Sequence, residues 1–487
     1  MGEFFIISSI LLPVIGGIGL LQFKIKSEHT LHLYSEYFVI AAALAVWLGI
    51  FTGPHPDFTL YNFNQGFSID FHMDGLSMLF AGMISIMWPF VLLYAFDYMK
   101  GEKEIKAFIA FFIMTYGITL GIALSGNILT LYVFFEMLSL VTIPLVSFYQ
   151  DHDSMFAGRY YACYVIGGAA VAFITVITTS VYCGGNFIYG GYKMDGLSEN
   201  MMNILYLLAF FGFGVKAAVF PFHSWLPVAS VAPTPVTALL HAVAVVNSGV
   251  FAIIRISYYI FPTDFLRGSI SQHIAITAVI FTILYGAMWA LKERHFKRRL
   301  AYSTISNLSY MLFGILLFTK SGMLAGIAHM LFHGIIKMSL FLCAGAFMHI
   351  TGKNYIYEIN GVGKKMPAVF SLYTLGALSL TGIPLFCGFI SKWRLFTAGA
   401  ESHSIEGITG IICLIIAAFL CAVYSLTVSI RAFFPIDQND NFAGISISDP
   451  GIKMLLPITV FSVMNIVFGL FPNIIIGFLQ QIAGGNI

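Results

Sequence analysis

Residues 210–256 read FFGFGVKAAVFPFHSWLPVASVAPTPVTALLHAVAVVNSGVFAIIRI. The run is apolar enough to enter a bilayer twice, yet it carries Lys216, His223 and His241 and is interrupted by Pro221, Pro227, Pro233 and Pro235. A lysine at the centre of a membrane helix costs roughly 2.5–3.5 kcal/mol on insertion scales, so a chain that keeps one there uses it or neutralises it.

The surrounding composition fixes the class. Of 487 residues, 59% are hydrophobic and 9% charged, with a mean hydropathy of +0.89. Soluble domains carry about 25% charged residues, so this chain reads as an all-α polytopic protein of the cell inner (cytoplasmic) membrane, its outer surface in contact with lipid. Phe4 to Leu21 has neither a basic n-region nor a small-residue cleavage site and is expected to be a retained helix rather than a signal peptide. The six cysteines show no CxxC or Cys/His spacing and read as buried small hydrophobes, not as metal or cluster ligands. There is no dinucleotide fingerprint and no P-loop, so electron transfer and ATP hydrolysis are not expected as the chain's own chemistry. A net charge of +2 gives no reason to expect nucleic acid.

Runs of about 20 apolar residues, the length that spans hydrocarbon, fall near 3–22, 31–52, 75–96, 107–124, 127–150, 157–182, 203–222, 235–259, 272–290, 299–318, 323–350, 367–399, 408–433 and 453–482. They predict about fourteen transmembrane helices. Residues 53–73 alternate apolar and polar around Asn64-Gln65-Gly66 and read as a small surface hairpin or an irregular loop. The polar gaps near 183–202, 259–272 and 434–453 are too short to hide a soluble core. Sixteen Lys and Arg fall in loops after odd-numbered segments, among them Lys24, Lys26 and Lys297, against four after even-numbered ones, Lys193, Arg255, Arg267 and Lys320. Since positive loops stay cytoplasmic, both termini are expected outside.

Lys216, Lys337, Lys392 and Arg394 remain in or near the membrane. Glu136 sits amid apolar neighbours in NILTLYVFFEMLSLVTIPLV (127–146) and must either protonate or find a cation on another helix. Lys216 is the natural candidate, whether as a working pair or as a static one that locks two helices. In GMLAGIAHMLFHGIIKMSLFLCAGAFMHI (322–350), His329, His333 and Lys337 follow at i, i+4 and i+8 on one helical face. Histidine titrates near neutral pH, which favours a proton relay. Structural hydrogen bonding competes as an explanation, and zinc lacks a third ligand nearby.

The twelfth segment, SLTGIPLFCGFISKWRLFTAG (379–399), is interrupted at Gly382 and Pro384 and then carries Lys392. Broken helices at corresponding places in two halves mark the ion route in transporters. Segments seven and twelve are five apart, and an odd spacing inverts a repeated unit. Segments four to eight (107–260) and nine to thirteen (270–433) therefore read as inverted five-helix repeats with broken helices 7 and 12. Three helices and the hairpin, on the extracytoplasmic side, precede them (1–106), and a last helix follows (434–487).

FPFHSWLPVASVAPTPVTALLHAV (220–243) preceded by Lys216, YVFFEMLSL (132–140), KRRLAYSTISNLSYML (297–312), AHMLFHGIIKMSLFL (328–342) and GIPLFCGFISKW (382–393) resemble the antiporter-like proton-translocating subunits of respiratory complex I. Membrane-bound hydrogenases and Mrp-type sodium/proton antiporters share that family. The resemblance implies fourteen helices with two inverted repeats. It implies that Glu136 is the fifth-helix glutamate, Lys216 its seventh-helix partner, His241 the eighth-helix polar position, Lys337 with His329 and His333 the central connection, and Lys392 the terminal lysine. Asn247 departs from it, since many relatives carry lysine there. The chain also stops soon after its last apolar segment, without the long lateral extension of the largest members, which suggests a middle subunit.

The expected function is proton translocation within a larger ion-pumping complex. Protons would enter from the cytoplasm near Lys216 and His241, cross by His329, His333 and Lys337, and leave by Lys392. Drive would come from redox partner subunits holding iron-sulfur, flavin or nickel sites, alongside further antiporter-like subunits. A gradient-driven Mrp-type antiporter is the alternative, and a structural spacer without transport is the third reading.

Overall fold

The computed structural model describes residues 2–23, 27–53, 57–64, 67–194, 196–435, 442 and 447–485. Lys24, Lys26 and the expected Gln65-Gly66 turn lie outside them. The chain is mostly helical. Among the described residues, eleven helical stretches are long and apolar enough to cross a membrane, the run Thr234–Ile260 counted as one.

In chain order the elements are α1 (Gly2–Gln22), α2 (Glu28–Thr52), the antiparallel strands β1 (Phe58–Asn64) and β2 (Phe67–Phe71), α3 (Gly75–Tyr98), α4 (Ile105–Ala123), α5 (Ile128–Val146) and α6 (His152–Cys183). Then come α7 (Glu199–Gly214), α8 (Trp225–Val228), α9 (Thr234–Ala242), α10 (Val245–Arg255), α11 (Thr263–Leu266), α12 (Ile270–Lys292), α13 (Phe296–Leu316) and α14 (Lys320–Thr351). The chain continues through α15 (Pro367–Thr381), α16 (Cys387–Glu401), α17 (Ile405–Phe433), α18 (Ile452–Leu470) and α19 (Asn473–Gly484).

Three of the fourteen apolar segments are not among the eleven spans, each for a local reason. The seventh stops at Gly214 and does not resume before α8, since Ala218 takes a left-handed conformation (φ +53°) and Pro221 cannot donate to a helical ladder. The twelfth divides into α15 and α16. Gly382 takes the left-handed conformation (φ +96°) and returns its N–H to Leu378 and Ser379, a helix-ending cap with Pro384 just beyond it. The tenth is one 21-residue helix, α13, whose basic start and buried polar stripe lower its hydropathy. The fourteenth is also interrupted, at Phe471-Pro472 between α18 and α19. Segment eight breaks as well, between α9 and α10.

α14 is the central pillar: every residue from Gly322 to Phe347 is buried. α9 and α10 are buried all round too. Helices that are apolar on all sides belong inside a bundle, whereas the peripheral α2, α6 and α17 bury one side and turn apolar residues such as Leu44, Ile174 and Phe419 outward, as lipid contact requires. α14 packs on α9, α13, α15, α16 and α18, so the broken twelfth segment lies directly against the pillar.

Two charges expected in loops are buried. Arg255 is 1% exposed inside the eighth segment, and Lys297 is 5% exposed in the first turn of α13.

Candidate functional site

α7 ends at Gly214 and the chain turns through residues 215–224 before α8. The turn is held by the Trp225 indole, which donates to the Val215 carbonyl at 2.7 Å, and by Thr282, whose hydroxyl accepts from the Phe220 N–H at 3.1 Å. Lys216, fully buried, sits in this turn. Its ammonium donates to the Phe135 carbonyl of α5 and lies 3.5 Å from the centre of the Phe135 ring. Glu136, the next residue, is within Coulomb range but forms no ion pair with Lys216 inside 4.0 Å among the described residues. The Glu136 carboxylate instead accepts from Ser139 at 3.3 Å and is half-buried on the side of α5 that exposes Val133, Met137 and Leu140. The direct Glu136–Lys216 pair expected from sequence is thus replaced by a carbonyl and a ring face.

The eighth segment breaks at Val243-Ala244. Ala244 reaches back to Leu239 (2.8 Å), and the Asn247 amide donates to the Ala242 carbonyl at 2.8 Å. Asn247 thereby caps a helix break. His241, just before that break, stacks on Phe341 (4.8 Å), shares Nε2 with Ser230 (3.4 Å), and has no partner for Nδ1 among the described residues.

α13 answers α14 along its length. Lys337 donates to Ser303 and to the Leu300 carbonyl (3.0 Å), and His329 bonds Asn307 (3.3 Å) and Ser391 (2.9 Å) while stacking on Tyr310 (5.5 Å). His333 lies between them, 6.1 Å from the His329 ring, and neither of its nitrogens has a protein partner among the described residues. Hydrogen bonds to protein groups account for His329, whereas His333 makes none among the described residues. Lys392 reaches from α16 back across the break to the Leu380 (2.6 Å) and Thr381 (3.1 Å) carbonyls, the open end of α15.

One residue of this set is not apparent from the sequence. Lys297 donates to the Ala232 carbonyl at 2.8 Å and lies within Coulomb range of His241. It lines a cavity of about 840 Å³ bounded by residues 149–156, 293–298 and 352–355, which also reaches Ser230, the partner of His241. Burial and the neighbouring Lys297 and Arg298 hold the His295 imidazole in its wall down to about 4, so that ring is neutral at physiological pH. Within KRR, Lys297 looks like a loop charge. The usable signal was the polar stripe Ser303, Ser306, Asn307 and Tyr310 at helical spacing behind it.

The buried pair Asp74–Arg255 (2.5 and 2.7 Å) is of another kind, a two-pronged bridge further braced by Ser77. By contrast Lys216, Lys297, Lys337 and Lys392 have no carboxylate within 4.0 Å among the described residues. No cluster of three His, Cys, Asp or Glu there could hold a metal ion.

Residues 125–420, more than half of the chain, match the family described as NADH:quinone oxidoreductase/Mrp antiporter, TM. The chain belongs to this family. It is 30% identical over 445 residues to a Na(+)/H(+) antiporter subunit of Alkalihalophilus pseudofirmus, covering 84% of this chain and 53% of the relative. It is also 30% identical over 375 residues to a probable K(+)/H(+) antiporter subunit of Rhizobium meliloti, covering 75% and 36%. The chain spans about half or less of the length of these curated relatives. Its fold is shared with a chain of the membrane-bound sulfane sulfur reductase, an archaeal respiratory membrane complex (TM-score 0.85, 20% identity, 100% of this chain and 97% of that one). A chain of the Mrp complex from Dietzia sp. gives the same TM-score and identity, over 99% and 97%.

Proposed function

We propose that this chain is an antiporter-like membrane subunit that moves protons through a larger ion-pumping complex. The observation that carries the reading is four buried lysines, each held directly by neutral groups alone. A structural spacer would keep none of them, since each could be an apolar residue at lower cost. Family membership supports the same reading.

In this mechanism protons arrive from the cavity beside Lys297 and pass through Ser230 and His241 to Lys337. His333 and His329 carry them along α14 towards Lys392. Lys216, placed beside the cytoplasmic half by Glu136 and Phe135, sets the charge of the first half. An ammonium near an anion stays protonated, and moving Glu136 away releases its proton. The cavity wall is made of loops that follow odd-numbered segments, which supports a cytoplasmic cavity and both termini outside. The inverted repeats would be α4 to α10 and α12 to α17 within a fourteen-span fold, with 1–106 and 434–487 flanking them. Iron-sulfur, flavin or nickel chemistry, where present, belongs to partner subunits.

The decisive experiment measures proton pumping in the assembled complex after Lys216→Ala and Lys392→Ala. Each is expected to lose on the order of 10²-fold, the usual worth of a positioned proton-transfer group; undiminished pumping in either overturns its assignment. The names of the relatives favour a second reading, a gradient-driven sodium or potassium/proton antiporter. Co-purification with only small membrane subunits supports that one, and peripheral redox proteins support the first.

A further inference from the structure

The break between α15 and α16 is closed by a side chain from outside the segment. Asn465 of α18, fully buried, accepts through Oδ1 from the Ser379 hydroxyl at 2.6 Å and from the Cys387 thiol at 2.9 Å. Ser379 lies in the last turn of α15 and Cys387 is the first residue of α16, so one amide oxygen ties the two half-helices together. Ser379 in turn accepts from the Gly388 N–H at 3.2 Å. One helical turn further along the same face, Gly469 meets the connecting loop backbone to backbone: a Cβ there would stand 2.3 Å from the Leu385 carbonyl oxygen. Leu385 has a positive φ of 79°, which costs a branched residue energy and persists only where packing dictates it. Ser462, on the other side of Asn465, bonds Ser339 of α14 at 2.9 Å.

We infer that α18 is a clasp on this break and that Asn465 is the positioning residue that keeps Lys392 on its carbonyls. Lys392 holds Leu380 and Thr381, the two residues after Ser379, from a position one turn beyond Gly388. Opening the Ser379–Asn465–Cys387 junction separates the lysine from the carbonyls it reaches. The clasp stands on its own geometry. Its role in placing Lys392 for proton transfer rests on the transport reading above.

Cys387 is a built-in reporter, and Cys343, buried in α14, is the reference. The full chain, in native membranes with its complex, is treated with N-ethylmaleimide and the labelling of each cysteine is followed by mass spectrometry. In the unaltered protein both thiols are expected to stay protected, as buried groups. Asn465→Leu is expected to label Cys387 about tenfold faster relative to Cys343, the scale of a local opening that loses buried hydrogen bonds. The milder Ser379→Ala raises the same ratio less, and Asn465→Asp, whose protonated carboxyl keeps an acceptor, returns it towards the starting value. An unchanged ratio overturns the clasp, whether both thiols stay protected or both become reactive together. The pH profile of proton pumping is the second readout: a shift in Asn465→Leu that Asn465→Asp reverses is expected. An unmoved profile with an opened clasp overturns the positioning role. If Lys392→Ala itself leaves pumping intact, the proton-transfer role of Lys392 fails while the labelling still decides the clasp.

Discussion

The two helix breaks put a lysine on backbone carbonyls in opposite ways. After α7 the lysine is in the break itself and reaches sideways to another helix, to the carbonyl and ring of Phe135, with Glu136 next in line. After α15 the lysine stands in the second half-helix and reaches back to the first, to Leu380 and Thr381. The first break therefore has an anion near its lysine, and the second has only backbone dipoles, held against α18. On the proposed mechanism, the first switches and the second holds.

The largest test of that contrast is Glu136→Gln. It removes the anion near Lys216 and nothing near Lys392, so pumping is expected to fall by about 10²-fold, as for loss of the lysine itself, because the pair acts as one unit. Proton flux in vesicles carrying the assembled complex measures it. Flux within a factor of about two of the parent protein would mean that Lys216 works through its carbonyl alone and that the breaks do not differ in kind.

Next in size are the packing glycines of the two breaks. At Gly388 a Cβ would lie 2.0 Å from the Ser379 carbonyl oxygen, and at Gly249 of α10 it would lie 2.5 Å from the Ala217 amide nitrogen. Both neighbours are backbone and cannot rotate away. Gly388→Ala and Gly249→Ala are each expected to cost about 1–3 kcal/mol, the usual range of overpacking, with Gly388 the worse because its contact is shorter. Thermal denaturation of the purified chain checks the order. A reversed order would show that the first break, not the second, is the rigid one.

Much of this was legible in the sequence. Hydropathy located the bundle, and Pro221, Gly382 and Pro384 announced both breaks, because their backbone chemistry acts locally. The spacing of His329, His333 and Lys337 placed them on one face for the same reason. What the sequence hid was which partner answers each charge, since that depends on helices far apart in the chain. The sequence points Lys216 to Glu136, whereas in the fold its ammonium contacts the carbonyl and ring of Phe135. Lys297 and Arg255 were hidden by a rule that is statistical: positive residues near helix ends are counted as loop charges, and only Lys297 has a local sign of pointing inward, the polar stripe that follows it. Asn465 gave no signal, because a single asparagine in an apolar helix has too many meanings.

The smallest expected effect concerns Asn247, the position where the chain departs from the family resemblance and pairs an amide with the Ala242 carbonyl. Asn247→Leu loses that hydrogen bond, worth about 0.5–1.5 kcal/mol, but it also removes a buried Oδ1 that has no partner among the described residues. The two terms oppose each other, so the net cost in stability should be no more than about 1 kcal/mol. Pumping should stay within about threefold of the parent, since an amide neither gives nor takes a proton near neutral pH and the proposed relay uses His241 instead. A loss on the scale of Glu136→Gln would place Asn247 in the proton path, and the first break would then extend across the eighth segment rather than end at His241.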